Sequence, residues 1–451
     1  MPRHDHLMII EQINQNIREN RQNSTLDFVY QRMSTSLPVD RKLVAGFLQK
    51  EGGLSEGFLL FVEALSDRRK RYSPEDLEER DAKAVEQASP YVPNESASRN
   101  VVLRREDEGI PSALELFFLM LLSSKEWEQI CTTKEEGTAL GEMSTRNVIE
   151  NVLGDTPRTK KFTHAVQAEV RKFAESASVV CDAGCGPFPI LGLSAALASP
   201  RAAVTCIELN PLSARIAQAI VDKFVANGSI AAGQILVKSG DALTEPLPPE
   251  GSIDLFISET LGAGLMDEPG PDIFSRFAPC INRDRGSTIP YRAKLSAAVV
   301  PVNKGISHGK DGRKITRYPN FVLNTNGTEL PVVPAGEWVP LEGGKELPLT
   351  DIPKCINGVI DLPSGLSRAE FDGNYDVAIS TEFVINQDRR EAVARYETFI
   401  TSPVMLGVGF VTIPQKLQKS ALASLRIKFS FVPGGNSRLA SKVEVVRRGD
   451  I

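Results

Sequence analysis

Residues 178–198 read SVVCDAGCGPFPILGLSAALA, and their order decides the fold. Ser178 to Asp182 is a short apolar, β-branched run with the composition of a buried strand. Two glycines follow, Gly184 and Gly186, and from Ile190 to Leu197 the small and apolar side chains begin a helix. Strand, glycine turn and helix in that order open a parallel α/β sheet. The texture continues downstream, with a second strand at 203–208, a second helix at 213–225, and further strands at 235–237 and 255–258.

The glycine turn is where chemistry enters. Glycine lets a bound molecule lie against bare backbone, and the N-terminus of the following helix offers free N–H groups. A plain strand-to-helix turn is the competing reading of a glycine pair alone. Glu208 strengthens the functional one, because a carboxylate ending the second strand can take both hydroxyls of a ribose. The third glycine of a dinucleotide fingerprint is missing, since Pro187-Phe188-Pro189 fills that stretch. S-adenosylmethionine has no pyrophosphate to accommodate and suits such a turn. Asp241-Ala242, after the third strand, falls where an adenine amino group is commonly met.

In this order Asp182, Gly184, Gly186 and Glu208 resemble class I S-adenosylmethionine-dependent methyltransferases, and more narrowly the protein arginine methyltransferases. Residues 155–162, DTPRTKKF, are similar to that family's D-x-x-R-T-x-x-Y segment. The resemblance implies that Arg158 pairs with the cofactor's carboxylate. Residues 259–268, ETLGAGLMDE, resemble its double-glutamate loop, with Glu259 and Glu268 at the same nine-residue spacing. Residues 289–293, IPYRA, are similar to its F-P-D-R-A. The likeness is detailed over about 150–300, architectural beyond that, and has no counterpart in 1–140. It implies Glu259 and Glu268 as catalytic residues, a homodimer, and a β-rich, barrel-like second domain.

Two carboxylates suit a guanidinium for a physical reason. The group is planar, always cationic and a poor nucleophile. A carboxylate fork fixes one nitrogen in line with the incoming carbon and localises charge elsewhere. One glutamate capping a helix with the other exposed is the bland alternative. The chain also departs from the family. The Thr-His-Trp loop has as its most similar stretch 399–407, FITSPVMLG, which lacks histidine, and Thr260-Leu261 replaces a tryptophan-methionine pair. The expected acceptor is therefore free arginine or a small amino-acid-like metabolite rather than a protein. Two alternatives stay open: a protein arginine methyltransferase, and a cyclase that turns S-adenosylmethionine into azetidine-2-carboxylate, with Phe28 and Tyr30 as a lid. A catalytically silent binding subunit is disfavoured by the intact cofactor residues.

Around this centre the chain of 451 residues divides into three parts. Helical spacing of Leu7, Ile10, Ile13 and Ile17, and the capping spacing before the apolar run at 113–122, mark 1–145 as a helical region for substrate selection or dimer contacts. Residues 146–296 are the Rossmann-like core. From 297 to 451 short strands broken by Pro and Gly predominate, closing with a hairpin at 425–432 and 443–446. Hydrophobic residues at 41% and charged residues at 24% describe a globular chain. A net charge of −5 gives no global basic field for nucleic acid or anionic membrane. No apolar run approaches the roughly 20 residues of a membrane span, and no secretory signal is read at the N-terminus. Six scattered cysteines and four histidines imply a reduced, cytoplasmic setting and no metal site.

Overall fold

The computed structural model describes residues 156–173, 176–261, 263–266, 268–302, 305–308, 314–317, 338–361, 374–387, 394–395, 408–412, 425–434 and 442–447, with Lys125, Glu126, Gln129, Ile130, Thr133 and Thr145. The expected helices of 1–145, Phe28, Tyr30 and the stretch 399–407 lie outside the described residues, save for those six positions.

Helix α1 (Thr156–Arg171) leads into strand β1 (Ser178–Ala183), then α2 (Ile190–Ala198) and β2 (Ala202–Glu208). Helix α3 (Pro211–Ala226) and strands β3 (Ile235–Ser239) and β4 (Leu255–Ser258) follow, then a 3-10 turn at 263–265, α4 (Gly270–Phe277) and β5 (Ser287–Ile289). The five strands form one parallel sheet in the order β3-β2-β1-β4-β5. This is the Rossmann-like core expected from the repeated strand and helix units. Successive strands step outward from β1 to β3, and the chain then returns to pair β4 with the other side of β1. The order therefore reverses between β1 and β4, and open α/β sheets bind ligands at the carboxyl ends of strands flanking such a reversal.

Each element follows from local chemistry. All four residues of β4 are buried, as a strand covered on both faces requires. Asn210 caps α3, accepting from Leu212 N at 2.9 Å and Ser213 N at 3.0 Å, and Pro211 opens the helix. The α3 stripe of Leu212, Ile216, Ile220 and Phe224 is buried at helical spacing. Phe256 of β4 lies edge-on to Phe274 (centroids 5.2 Å) and stacked on Phe277 (4.9 Å), which fastens α4 to the sheet. The buried Asp254 carboxylate ties the sheet's lower edge, bridging Arg285 at 2.8 Å and Val179 N at 2.9 Å.

Beyond β5 the described chain is β apart from 3-10 turns at 342–344 and 349–351. An 11-residue strand β6 (Arg292–Val302) crosses residue 297 and pairs along its length with β12 (Asn374–Val384), after β7 (Gly305–His308), β8 (Lys314–Arg317), β9 (Val339–Pro340), β10 (Leu347–Pro348) and β11 (Ile356–Asp361). Strands β13 (Ala394–Arg395) and β14 (Val408–Thr412) join β12, and β15 (Leu425–Phe431) pairs with both β11 and β16 (Lys442–Arg447). The closing hairpin read from the sequence is present as β15 and β16. Among the described residues these strands make separate sheets of six, three and two strands. One hydrophobic cluster nonetheless runs from Val180 through Leu261, Leu265 and Met266 to Ile379 and Phe431. No helix among the described residues is long and apolar enough to cross a membrane.

Candidate active site

The glycine turn stands at the carboxyl end of β1. From Val180 to Ile190 every residue is buried except Gly184, Cys185 and Gly186, which are half-exposed, so a ligand meets this segment at the turn. Both glycines have positive φ, 80° at Gly184 and 69° at Gly186, where a side chain would be strained. Gly184 and Cys185 donate from their N–H groups to the Ile207 carbonyl at 2.8 and 3.2 Å, which holds the turn against the end of β2.

Glu208 ends β2 beside that turn. Its Oε2 accepts from Gly186 N at 2.8 Å and its Oε1 from Asn210 N at 2.8 Å. Two backbone donors thus fix the carboxylate plane. Asp182 lies deeper, 1% exposed, and its Oδ2 accepts from Gly192 N at 3.0 Å in the first turn of α2. Pro189 offers that helix no side-chain cap, so Asp182 performs the capping from the neighbouring strand. Burial raises its pKa to about 7, aided by the negative charges of Glu208 and Glu259 and opposed by the Gly192 N–H. Asp182 of β1 therefore feels the carboxylates that end β2 and follow β4, at the point where the strand order reverses.

Glu259 and Glu268 are both half-buried and bracket the loop after β4. Ser258 Oγ donates to Ala183 O at 2.7 Å and lies 2.8 Å from Thr260 Oγ1. The Thr260 methyl fills the space where a Cβ at Gly184 would be. A Cβ at Gly270 would likewise strike the Thr260 carbonyl, so α4 begins against the start of the loop. The loop thus closes on itself between residues 260 and 270, with Glu259 just before the closure and Glu268 within it. Leu261, Leu265 and Met266 are buried, which anchors its apolar side.

Asp241 follows β3, and its Oδ1 accepts from Leu243 N at 2.8 Å, a local Asx turn. Ala242 is buried, and its carbonyl accepts from Arg276 Nε of α4 at 3.1 Å; Arg276 Nη2 also donates to Glu245 O. Arg158 falls in the first turn of α1, with its side chain outside the described residues. Asn210, Gly192 and Arg276 were not singled out from the sequence, and Thr260 was noted only as a departure from the family's loop. Only Asn210, directly before Pro211, carries a local signal there, that of a helix cap. The others act across the fold. The described cysteines are free, and no group of His, Cys, Asp or Glu among the described residues could hold a metal ion.

No family model and no curated protein matches the chain. Solved structures do. One is "Crystal structure of PRMT6-SAH", 14% identical, with TM-score 0.40, covering 67% of this chain and 98% of its own. A Trypanosoma brucei PRMT1 enzyme-prozyme heterotetrameric complex with AdoHcy is 15% identical, with TM-score 0.41, over 68% of this chain and 96% of its own. Arabidopsis thaliana protein arginine methyltransferase 10 is 15% identical, with TM-score 0.38, over 62% and 85%. The chain is thus similar to solved PRMT structures, and at such scores its assignment rests on its own residues.

Proposed function

We propose that the chain is an S-adenosylmethionine-dependent N-methyltransferase whose acceptor is a guanidino or amino nitrogen, of free arginine or a small metabolite before that of a protein. The observation that carries this reading is the grouping of Asp182, Glu208 and Glu259 beside the half-exposed turn after β1, where Glu208 Oε2 accepts from Gly186 N. A dinucleotide would bring its anionic pyrophosphate against three carboxylates and be repelled. A sulfonium nucleoside brings a cation and two ribose hydroxyls, which those groups satisfy.

The residues present fit that cofactor. Gly184 and Gly186 expose backbone to it, Glu208 is held ready for the ribose, Asp241 and Ala242 stand beyond β3 for the adenine, and Arg158 is assigned its carboxylate. The cofactor supplies an electrophilic methyl group on a good leaving group, so no metal is required. Glu259 and Glu268 bind the acceptor cation as a pair and hold one nitrogen in line. A homodimer, a small amino-acid-like partner and a cytoplasmic setting belong to the same proposal.

Replacing Glu268 by Gln tests it. The substitution keeps shape and removes charge, so turnover falls by about 10²–10³, as when one aimed electrostatic contact is lost, while S-adenosylmethionine affinity stays within twofold. Products are weighed after incubation with free arginine, with a basic peptide, and with no acceptor. S-adenosylhomocysteine formed only with an acceptor supports transfer. Methylthioadenosine accumulating from cofactor alone overturns it in favour of cyclisation.

A further inference from the structure

The loop bearing the two glutamates is held at its ends by β4 and α4 and at its middle by a distant part of the chain. Leu265 occupies that middle with φ 60°, a left-handed conformation that a bulky residue keeps only when its surroundings impose it. Its side chain is fully buried, and its carbonyl accepts a 2.7 Å hydrogen bond from Gly434 N. Gly434 lies in the turn just after β15, at φ 78°. A Cβ placed there would stand 2.7 Å from Asp272 Oδ2, in the first turn of α4. One backbone N–H of the C-terminal half therefore touches the loop between Glu259 and Glu268, beside the helix that follows Glu268.

We infer that the turn at 432–434 is a latch on the glutamate loop and that Gly434 is a positioning residue for acceptor alignment, acting through Leu265 and remote from the glycine turn. The inference rests on the reading of Glu268 as an acceptor ligand. The physical link is short. A loop in a strained conformation relaxes when the contact imposing it is lost, and a shift of about 1 Å in a positioned group can lower turnover by about 10²-fold. The glycine turn and Glu208 are held by bonds among Ile207, Gly186 and Asn210, and Asp241 and Ala242 by Leu243 N and Arg276, none of them to Gly434, so cofactor affinity stays the same.

Gly434→Val, Gly434→Ala and Gly434→Asn in the full chain test the latch, because tolerance of a left-handed backbone rises from valine through alanine to asparagine. The exposed Asp272 side chain can swing aside for any of them. Two readouts are taken: amide exchange over 263–268, and acceptor-dependent turnover beside S-adenosylhomocysteine affinity. Valine is expected to speed exchange and lower turnover at least tenfold with cofactor affinity within twofold. Asparagine restores both, and alanine falls between and serves if the valine variant does not fold. Wild-type exchange and turnover in the alanine and valine variants would overturn the latch, as would cofactor affinity falling in step with turnover. If the wild-type protein transfers no methyl group, the functional reading fails, and the exchange measurement alone decides whether the latch exists.

Discussion

Asp182 is asked to do two things at once, to cap α2 through Gly192 N and to lend negative charge to the ligand site. Its pKa of about 7, raised chiefly by burial, sets the pH at which the charge appears, and the Gly192 N–H bond favours that ionised form. An ordinary aspartate ionises near 3.8 in the unfolded chain, so between about pH 4 and 7 the folded state holds a proton that the unfolded state has released. This group's stabilising contribution is therefore full below pH 4 and is lost as pH rises through 7. Ligand binding runs the other way. A sulfonium favours the ionised carboxylate, so binding near pH 6.5 releases a proton, and affinity climbs toward pH 7.5 and then levels. Calorimetry in buffers of differing ionisation enthalpy counts that proton. Zero release at pH 6.5 would separate Asp182 from the cation. Glu208→Ala removes a charged acceptor already held by two N–H groups, and S-adenosylmethionine affinity weakens by about 1–3 kcal/mol. Unchanged affinity would take Glu208 out of the site.

At the scale of elements, the segment after β3 depends on a helix distant in sequence. Arg276 of α4 donates to Ala242 and Glu245 carbonyls, and Gly270 of α4 packs on Thr260, so α4 fixes both the turn at 241–245, the proposed adenine side, and the end of the glutamate loop. Arg276→Ala frees that turn, and cofactor affinity falls several-fold while the acceptor KM is unaffected. A variant with a lowered melting temperature and intact affinity would reduce residues 241–242 to a structural turn. Strands β1 to β4 and helices α2 and α3 were legible because short apolar runs alternate with longer helical stretches and their ends carry Gly, Asn-Pro or Pro. The two ends of the glutamate loop were legible as spacing alone. What sequence could not display is the set of contacts that gives the spacing meaning. Gly270 against Thr260, Asp182 capping α2 and Gly434 on Leu265 join residues whose neighbours in sequence give no sign of them.

At the scale of the whole molecule, the parallel sheet and the β-rich half share one core. Val180, Ile257 and Phe256 of the sheet, Leu261 and Leu265 of the loop, and Ile379, Phe429 and Phe431 beyond all belong to a single buried cluster. Separating the halves would strip water-excluding contacts from the loop that holds Leu261, Leu265 and Met266, and at roughly 1.5–3 kcal/mol per large apolar side chain neither half would keep the loop's shape alone. The two halves are therefore expected to unfold together. Linkage turns that expectation into a measurement. A ligand present at 100 times its Kd stabilises the folded state by about 2.7 kcal/mol, a factor of about 100 in the unfolding equilibrium. At the proposed site S-adenosylhomocysteine meets the carboxyl ends of β1 and β2, so the slowest-exchanging amides of β1 are expected to gain that protection directly. With a shared core, the slowest amides of β15 gain the same factor although no ligand contact is assigned to that strand. Exchange measured with and without S-adenosylhomocysteine compares the two strands in one experiment. Protection rising in β1 and unchanged in β15 would show two independently unfolding halves, and the C-terminal sheet would then serve the site only as a detachable neighbour.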